Sequence, residues 1–121
     1  HEEQRLLDEH IVAYRIDGPL FFGAAQRFLH ELSEVTDVAV LILRLGRVST
    51  LDVTGVRMLG EVVRSLERRG TAVLLSGLRP GHSRMLMSSP SLVGLVAEER
   101  VFDTTPEAIA AARRIVAVAR G

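Results

Sequence analysis

Residues 49–55 combine side chains that can bind or accept a phosphate. They read Ser-Thr-Leu-Asp-Val-Thr-Gly, between a wholly apolar run and the start of a helical pattern. Asp52 can accept hydrogen bonds from the free backbone N–H groups of a helix's first turn, where its charge also favours the helix dipole. Those N–H groups can equally hold an anion, and the Thr54 hydroxyl can accept a phosphoryl group. Two interpretations remain open, a helix cap completed by Gly55 or a phosphate-handling loop, and capping is favoured because it needs no partner.

Two arginines, Arg47 and Arg57, flank this loop. A guanidinium fork matches phosphate geometry, so both are predicted phosphate contacts. The candidate contacts for a phosphate or a nucleotide are therefore Ser49, Thr50, Thr54, Arg47 and Arg57. Runs of arginine such as that in residues 44–69 are most often the solvated face of a helix.

The sequence contains none of the residue patterns that signal an enzyme. It has no G-x-S-x-G, H-E-x-x-H, Walker or G-x-G-x-x-G motif. It also lacks cysteine and lysine, which excludes thiolate nucleophiles, cysteine-ligated metals and Schiff-base chemistry. The histidines have no partner at helical spacing and are interpreted as solvated surface residues: His1, His10, His30 and His82. We therefore expect neither catalysis nor a metal site.

Composition predicts one globular domain. The chain has 121 residues, of which 47% are hydrophobic and 25% charged, and its formal net charge is zero. Zero net charge argues against a protein built to coat nucleic acid or an anionic membrane. No apolar run approaches the roughly 20 residues that a membrane span needs. Because the chain opens with His1, we expect a piece of a longer protein, with residues 1–10 as a leading segment and 11–121 as a single domain.

The opening elements are predicted from a change of hydrophobic period. Residues 11–16 alternate, with Val12, Tyr14 and Ile16 on one face, as in a half-buried strand. A turn is predicted at residues 17–18, and a second strand at 19–22 completes a hairpin. An amphipathic helix is predicted at 23–35.

The later elements alternate between buried strands and helices. A central strand at 38–43 is followed by a loop at 44–50 and a helix from Val56 to near Gly70. A strand at 71–76 precedes a Pro/Gly loop at 77–81, a helical stretch at 85–87, a Ser/Pro-rich break and a short strand near Val101 and Phe102. The last helix begins at the capping-box pair Thr104 and Glu107, and its predicted buried stripe is Ala108, Ile109, Ala112, Ile115, Val116 and Ala119.

This order of elements predicts a small layered α/β fold. We expect a four- to five-stranded mixed, mainly parallel sheet with four to five helices, joined by right-handed crossovers. Ligands of such sheets meet the loops at the carboxyl ends of the strands. The region of interest is therefore residues 44–55.

Two motifs resemble those of the STAS domain, a family named after sulfate transporters and anti-sigma-factor antagonists. They are Asp-Gly-Pro-Leu-Phe-Phe-Gly-Ala at 17–24 and the run at 49–55. Their order and spacing carry the resemblance, which extends over about residues 11–116. The Pro-Leu-Phe-Phe run is similar to the cytoplasmic C-terminal domain of SulP-type sulfate permeases.

The resemblance implies a non-catalytic regulatory domain at the cytoplasmic face of the cell membrane. Its implied partners are the transmembrane domain of the same transporter chain and a second STAS domain, with no nucleic acid. An interaction surface is expected at Phe21, Phe22 and Val53, because adjacent strand residues point to opposite faces and one phenylalanine is then free to dock. A guanine or adenine nucleotide near residues 49–55 is a further expectation, and no cofactor is required.

The alternative is a free-standing antagonist of an anti-sigma factor. In that branch the site motif reads Asp-Ser-Ser-Gly, and a partner kinase phosphorylates the second serine. Here Val53 replaces the first serine and Thr54 the second. Thr54 is therefore the predicted phosphoacceptor if the chain belongs to this branch.

Overall fold

The computed structural model describes residues 10–18 and 38–120, so the predicted hairpin strand at 19–22 and helix at 23–35 lie outside the described residues. Within the described residues four strands form one sheet in the order β1-β2-β3-β4, and each neighbouring pair is parallel. The strands are β1 (Ile11–Gly18), β2 (Val40–Val48), β3 (Ala72–Ser76) and β4 (Val101–Phe102). The described helices are α1 (Val53–Arg68), α2 (Pro80–Ser83), a 3₁₀ helix (Arg84–Ser88), α3 (Pro90–Ala97) and α4 (Thr105–Arg120). This is the α/β fold that the sequence predicts.

The sheet is buried on both faces, which explains the uninterrupted apolar run of β2. Leu41, Leu43 and Leu45 pack in the core that includes residues of α1, the 3₁₀ helix and α3. Val40 and Ile42 belong to a second core formed with α4. Helices therefore cover both sides of the strand, and both of its faces must be apolar. Val12, Tyr14 and Ile16 share the α1 side, as their alternation predicts.

Strand β2 is longer than the sequence predicts. Residues 44–48, predicted as loop, continue the strand because β1 supplies partners for them. Arg47 pairs with Asp17 and Val48 with Gly18, after a register shift between Arg15 and Asp17. The predicted turn at residues 17–18 is thus the end of β1, and the loop before α1 is reduced to residues 49–52.

Helix α3 is a second correction, because between the helical stretch at 85–87 and the strand near Val101 the sequence predicts only a Ser/Pro-rich break. Pro90 occupies the first turn, where its missing N–H costs nothing, and Leu92 and Leu95 are buried. The helix packs against α1, and Gly60 permits the approach, since a Cβ there would meet the Ser89 side chain. In α4 the predicted stripe is buried or partly buried except at Ala119, which is exposed, while Ala111 is buried instead.

Two helices end in the same hydrogen-bonding motif with different residues. After α1, Gly70 has a φ of 89°, and Thr71 N–H donates to Leu66 O at 3.0 Å. After α3, Glu99 has a φ of 58°, and Arg100 N–H donates to Leu95 O at 2.9 Å. Both are Schellman ends with a left-handed residue, a conformation that glycine adopts without a Cβ penalty.

Arg100 lies near two carboxylates, Glu98 at this helix end and Glu67 of α1. Its Nε lies 3.2 Å from Glu98 and its Nη1 lies 3.9 Å from Glu67. Burial raises the pKa of Glu67, the neighbouring Glu98 raises it further, and Arg100 lowers it. Because the pKa of Glu67 is raised in the folded state, protonated Glu67 contributes to the free energy of unfolding at low pH. That contribution is lost as the pH rises through the folded pKa.

We predict that Glu99→Gly raises the free energy of unfolding by about 1 kcal/mol, because it removes left-handed strain at the end of α3. Gly70→Ala introduces that strain after α1 and should lower the free energy of unfolding by about the same amount. Urea unfolding at neutral pH measures both. Glu99→Ala is the control, since it removes the charge and keeps the strain. Equal stabilisation by the alanine and glycine variants would assign the effect to charge.

At the other end of α1, Asp52 caps the helix: its Oδ1 accepts a 2.7 Å hydrogen bond from Gly55 N–H. We predict that Asp52→Ala lowers the free energy of unfolding by about 1 kcal/mol, because this N–H loses its acceptor. Asp52→Asn keeps an oxygen in place and should retain most of the stability. Urea unfolding of both variants checks this, and an equal loss in the asparagine variant would contradict a role in capping.

Candidate functional site

The carboxyl ends of the parallel strands meet at one edge of the sheet. The residues that follow β1 lie outside the described residues, but the connections after β2, β3 and β4 are described. Of these, the β2–α1 connection carries the predicted phosphate-handling loop. Loops at this edge are where open parallel sheets bind ligands.

The loop is anchored at both ends. Leu51 is buried in the α1-side core, and Gly55 is buried within the first turn of α1. Asp52 joins them: its side chain accepts from Gly55 N–H, and its carbonyl oxygen accepts from Val56 N–H at 2.9 Å. The N–H groups of Val53 and Thr54 have no acceptor among the described residues. The helix start thus presents two free donors beside a fixed carboxylate.

The hydroxyl side chains of the loop face solvent. Ser49, Thr50 and Thr54 are all exposed, and Val53 exposes 46% of its surface. No hydrogen bond ties these hydroxyls to another described residue. Thr54 is accordingly accessible to a modifying enzyme or to a ligand, as a phosphoacceptor must be.

Arg47 and Arg57 lie near the loop without closing it. Arg57 is exposed one helical turn after Thr54, on the same side of α1. Arg47 is exposed near the end of β2, opposite Asp17. Neither arginine forms an ion pair within residues 10–18 and 38–120. The structure therefore places the predicted contacts at one edge but does not bring them into mutual contact. Phe21 and Phe22 lie outside the described residues.

Arg79, in the β3–α2 connection, and His82, in α2, follow the carboxyl end of β3 at the same edge, although neither is predicted from the sequence as a site residue. Arg79 Nε donates to Gly46 O at 3.4 Å, which ties this connection to β2. His82, predicted to be solvated, is half-buried, and its Nδ1 is buried without a hydrogen-bond partner in the described chain. His82 lines an apolar cleft together with Leu45, Val48, Leu51, Leu59 and Leu78. No periodicity signals this, because His82 follows a Pro-Gly pair in an apparent loop.

The described site can bind an anion or present a hydroxyl, but it holds no catalytic constellation. No general base is hydrogen-bonded to Thr54 or Ser49 among the residues described. No group of three metal-ligating side chains occurs within the same residues. Within residues 10–18 and 38–120, no helix has the length and apolar composition that a membrane span requires.

Comparison with known proteins identifies the family. The family model described as the STAS domain matches residues 6–108, which is most of the chain. No curated protein gave a significant match. The family expected from the two sequence motifs is therefore confirmed by an independent comparison.

Solved structures agree with this result. The STAS domain of a SulP transporter from Vibrio cholerae is 33% identical, with a TM-score of 0.78, over 90% of this chain and 85% of that one. A sulfate transporter family protein from Wolinella succinogenes is 39% identical, with a TM-score of 0.70, over 88% of both chains. The murine anion transporter Slc26a9 shares the fold at 18% identity and a TM-score of 0.72, over 87% of this chain and 18% of that one. The chain belongs to the STAS domain family, and it resembles the STAS domains of SulP transporters.

Proposed function

We propose that this chain is the regulatory STAS domain of a SulP-type sulfate or anion transporter, positioned on the cytoplasmic face of the cell membrane. The observation that carries the proposal is its 33% and 39% identity, across nearly its full length, to domains from a SulP transporter and a sulfate transporter family protein. The domain does not contain the anion pathway. It supports folding, assembly and control of transport by contacting the membrane region of the same polypeptide.

Exposed apolar side chains support a docking role. Val53 at the start of α1, Met87 in the 3₁₀ helix and Val96 near the end of α3 expose 46%, 66% and 46% of their surfaces. Scattered apolar residues occur on any protein surface. Val53 differs because it occupies the motif position where antagonists of anti-sigma factors carry a serine. An apolar side chain there suits a contact with another protein surface.

This proposal predicts that the domain is part of a large membrane protein. Source cells are fractionated and probed with an antibody raised against this chain, and the apparent size of the band is recorded. A large band in the membrane fraction is expected. A cytosolic band near 13.3 kDa, the mass of this chain, would contradict it and favour the antagonist alternative.

A nucleotide is the proposed ligand of the β2–α1 loop. Two free backbone N–H groups, three exposed hydroxyls and the nearby Arg57 form a set of donors suited to phosphate oxygens. We expect GTP, GDP or ATP to shift the amide resonances of residues 49–57 in a saturable way. Arg57→Gln should weaken that binding, and Arg64→Gln, further along the exposed side of α1, is the matched control. An unchanged spectrum at millimolar nucleotide would overturn this part of the proposal.

The second candidate is a soluble antagonist of an anti-sigma factor switched by phosphorylation at Thr54. The observation that favours it is the exposure of Thr54 at the N-terminal end of α1, where a phosphate gains from the helix dipole. The chain is mixed with an anti-sigma kinase and ATP, and the phosphate is mapped by mass spectrometry. This candidate expects phosphate on Thr54, with Thr54→Ala unmodified and Thr50→Ala still modified. Unmodified Thr54 would eliminate it.

A further inference from the structure

A half-buried arginine lies on the α4 side of the sheet without a carboxylate partner. Arg44 follows the buried part of β2, and its register partners are Arg15 on β1 and Ser76 on β3. Its Nε donates to Thr105 Oγ1 at 3.2 Å, and Thr105 is the first residue of α4. This position lies across the sheet from α1, so it is separate from the loop that contains Asp52 and Thr54.

The hydrogen-bond donors of Arg44 exceed the acceptors around it. A guanidinium has five N–H donors and remains charged in proteins. Among the described residues its only acceptor is the Thr105 hydroxyl, and no carboxylate lies within 4.0 Å of it. Arg100, which is comparably shielded, has both Glu98 and Glu67. Charges withdrawn from water are normally paired, so Arg44 is the exception in the described part of the chain.

The neighbouring hydroxyls add a further donor. Ser76 is fully buried, and its Oγ lies 3.0 Å from Thr105 Oγ1, with either hydroxyl able to donate. Two hydroxyls carry two hydrogens, and the bond between them uses one. The other hydroxyl hydrogen and the Nη hydrogens of Arg44 have no acceptor among the described residues. The cluster therefore offers donors and a positive charge but lacks a negative one.

The charged residues on the neighbouring elements do not neutralise Arg44. Arg15, on the adjacent strand, pairs with its own neighbour Asp17 at 3.2 Å. At the start of α4, Glu107 accepts from the Thr104 hydroxyl at 2.9 Å in a capping box, and Asp103 is exposed. The N-terminal end of α4 itself contributes a partial positive charge next to Thr105.

We propose that Arg44, Ser76 and Thr105 form an oxyanion-binding site on the α4 side of the sheet's carboxyl edge. The ligand is a planar carboxylate or a phosphate-like oxyanion, bound by the Nη groups of Arg44 in a forked hydrogen bond and by the free hydroxyl hydrogen. The charge on Arg44 supplies the affinity. The Thr105 hydroxyl orients the guanidinium by accepting from its Nε, and Ser76 holds the Thr105 hydroxyl in place. This site does not depend on the proposed transport function.

The test is a titration of the isotope-labelled chain with phosphate, sulfate and acetate, each against chloride at matched ionic strength. We expect saturable shifts at the amides of Ser76 and Thr105 and at the Arg44 Nε–H resonance. Saturation by phosphate or sulfate identifies a free anion as the ligand. Saturation by acetate alone identifies a protein carboxylate. Absence of saturable shifts with all three anions would overturn the proposal.

Variants distinguish anion binding at this site from non-specific anion binding to other arginines. Arg44→Gln should raise the dissociation constant by about tenfold or more, since it removes a charged donor. Thr105→Val keeps the side-chain shape and removes the hydroxyl, so it should weaken binding while the fold is retained. Arg64→Gln, an exposed arginine of α1 on the opposite side of the sheet and outside both proposed sites, is the matched control and should bind normally. Equal weakening by Arg64→Gln would show non-specific binding and contradict the site.

Discussion

The complete burial of β2 is the constraint on which the rest of the structure depends. Residues 40–43 have no exposed surface, and their side chains alternate between a core shared with α1 and a core shared with α4. Parallel sheets are typically covered by helices on both faces, so their strands are apolar on both sides. Here α1, in the crossover from β2 to β3, covers one face of β2, and α4, which follows β4, covers the other.

Burial also determines where chemistry can occur. Charged groups cannot be accommodated among residues 40–43, so the first polar side chains of β2 appear where the strand nears the carboxyl edge of the sheet. Arg44 is the first of them, and the exposed side chains of Ser49, Thr50 and Asp52 follow. The same edge consequently carries donors on both sides of the sheet. One set lies at the start of α1 and the other beside the start of α4.

Membership of the STAS family assigns the fold, while this chain's own residues determine which side chains the carboxyl edge of the sheet presents. Val53 and Thr54 stand where the anti-sigma-factor antagonists carry two serines, so of these two motif positions one keeps a hydroxyl and the other gains an apolar side chain. On the α4 side, Arg44 depends on Thr105, which lies 61 residues further along the chain. Regulation by docking and recognition of an oxyanion would then use different sides of a single edge.

The sequence by itself determined the elements whose signals are local. The alternation in residues 11–16, the capping box at Thr104 and the Asp52 motif each predict a structure through neighbours a few residues apart. Tertiary structure decided the length of β2, because β1 supplies partners up to Val48. It also decided that Pro90 begins a helix packed on α1, that His82 is half-buried, and that Arg44, Ser76 and Thr105 meet. These outcomes depend on contacts between distant segments, which no local pattern of residues encodes.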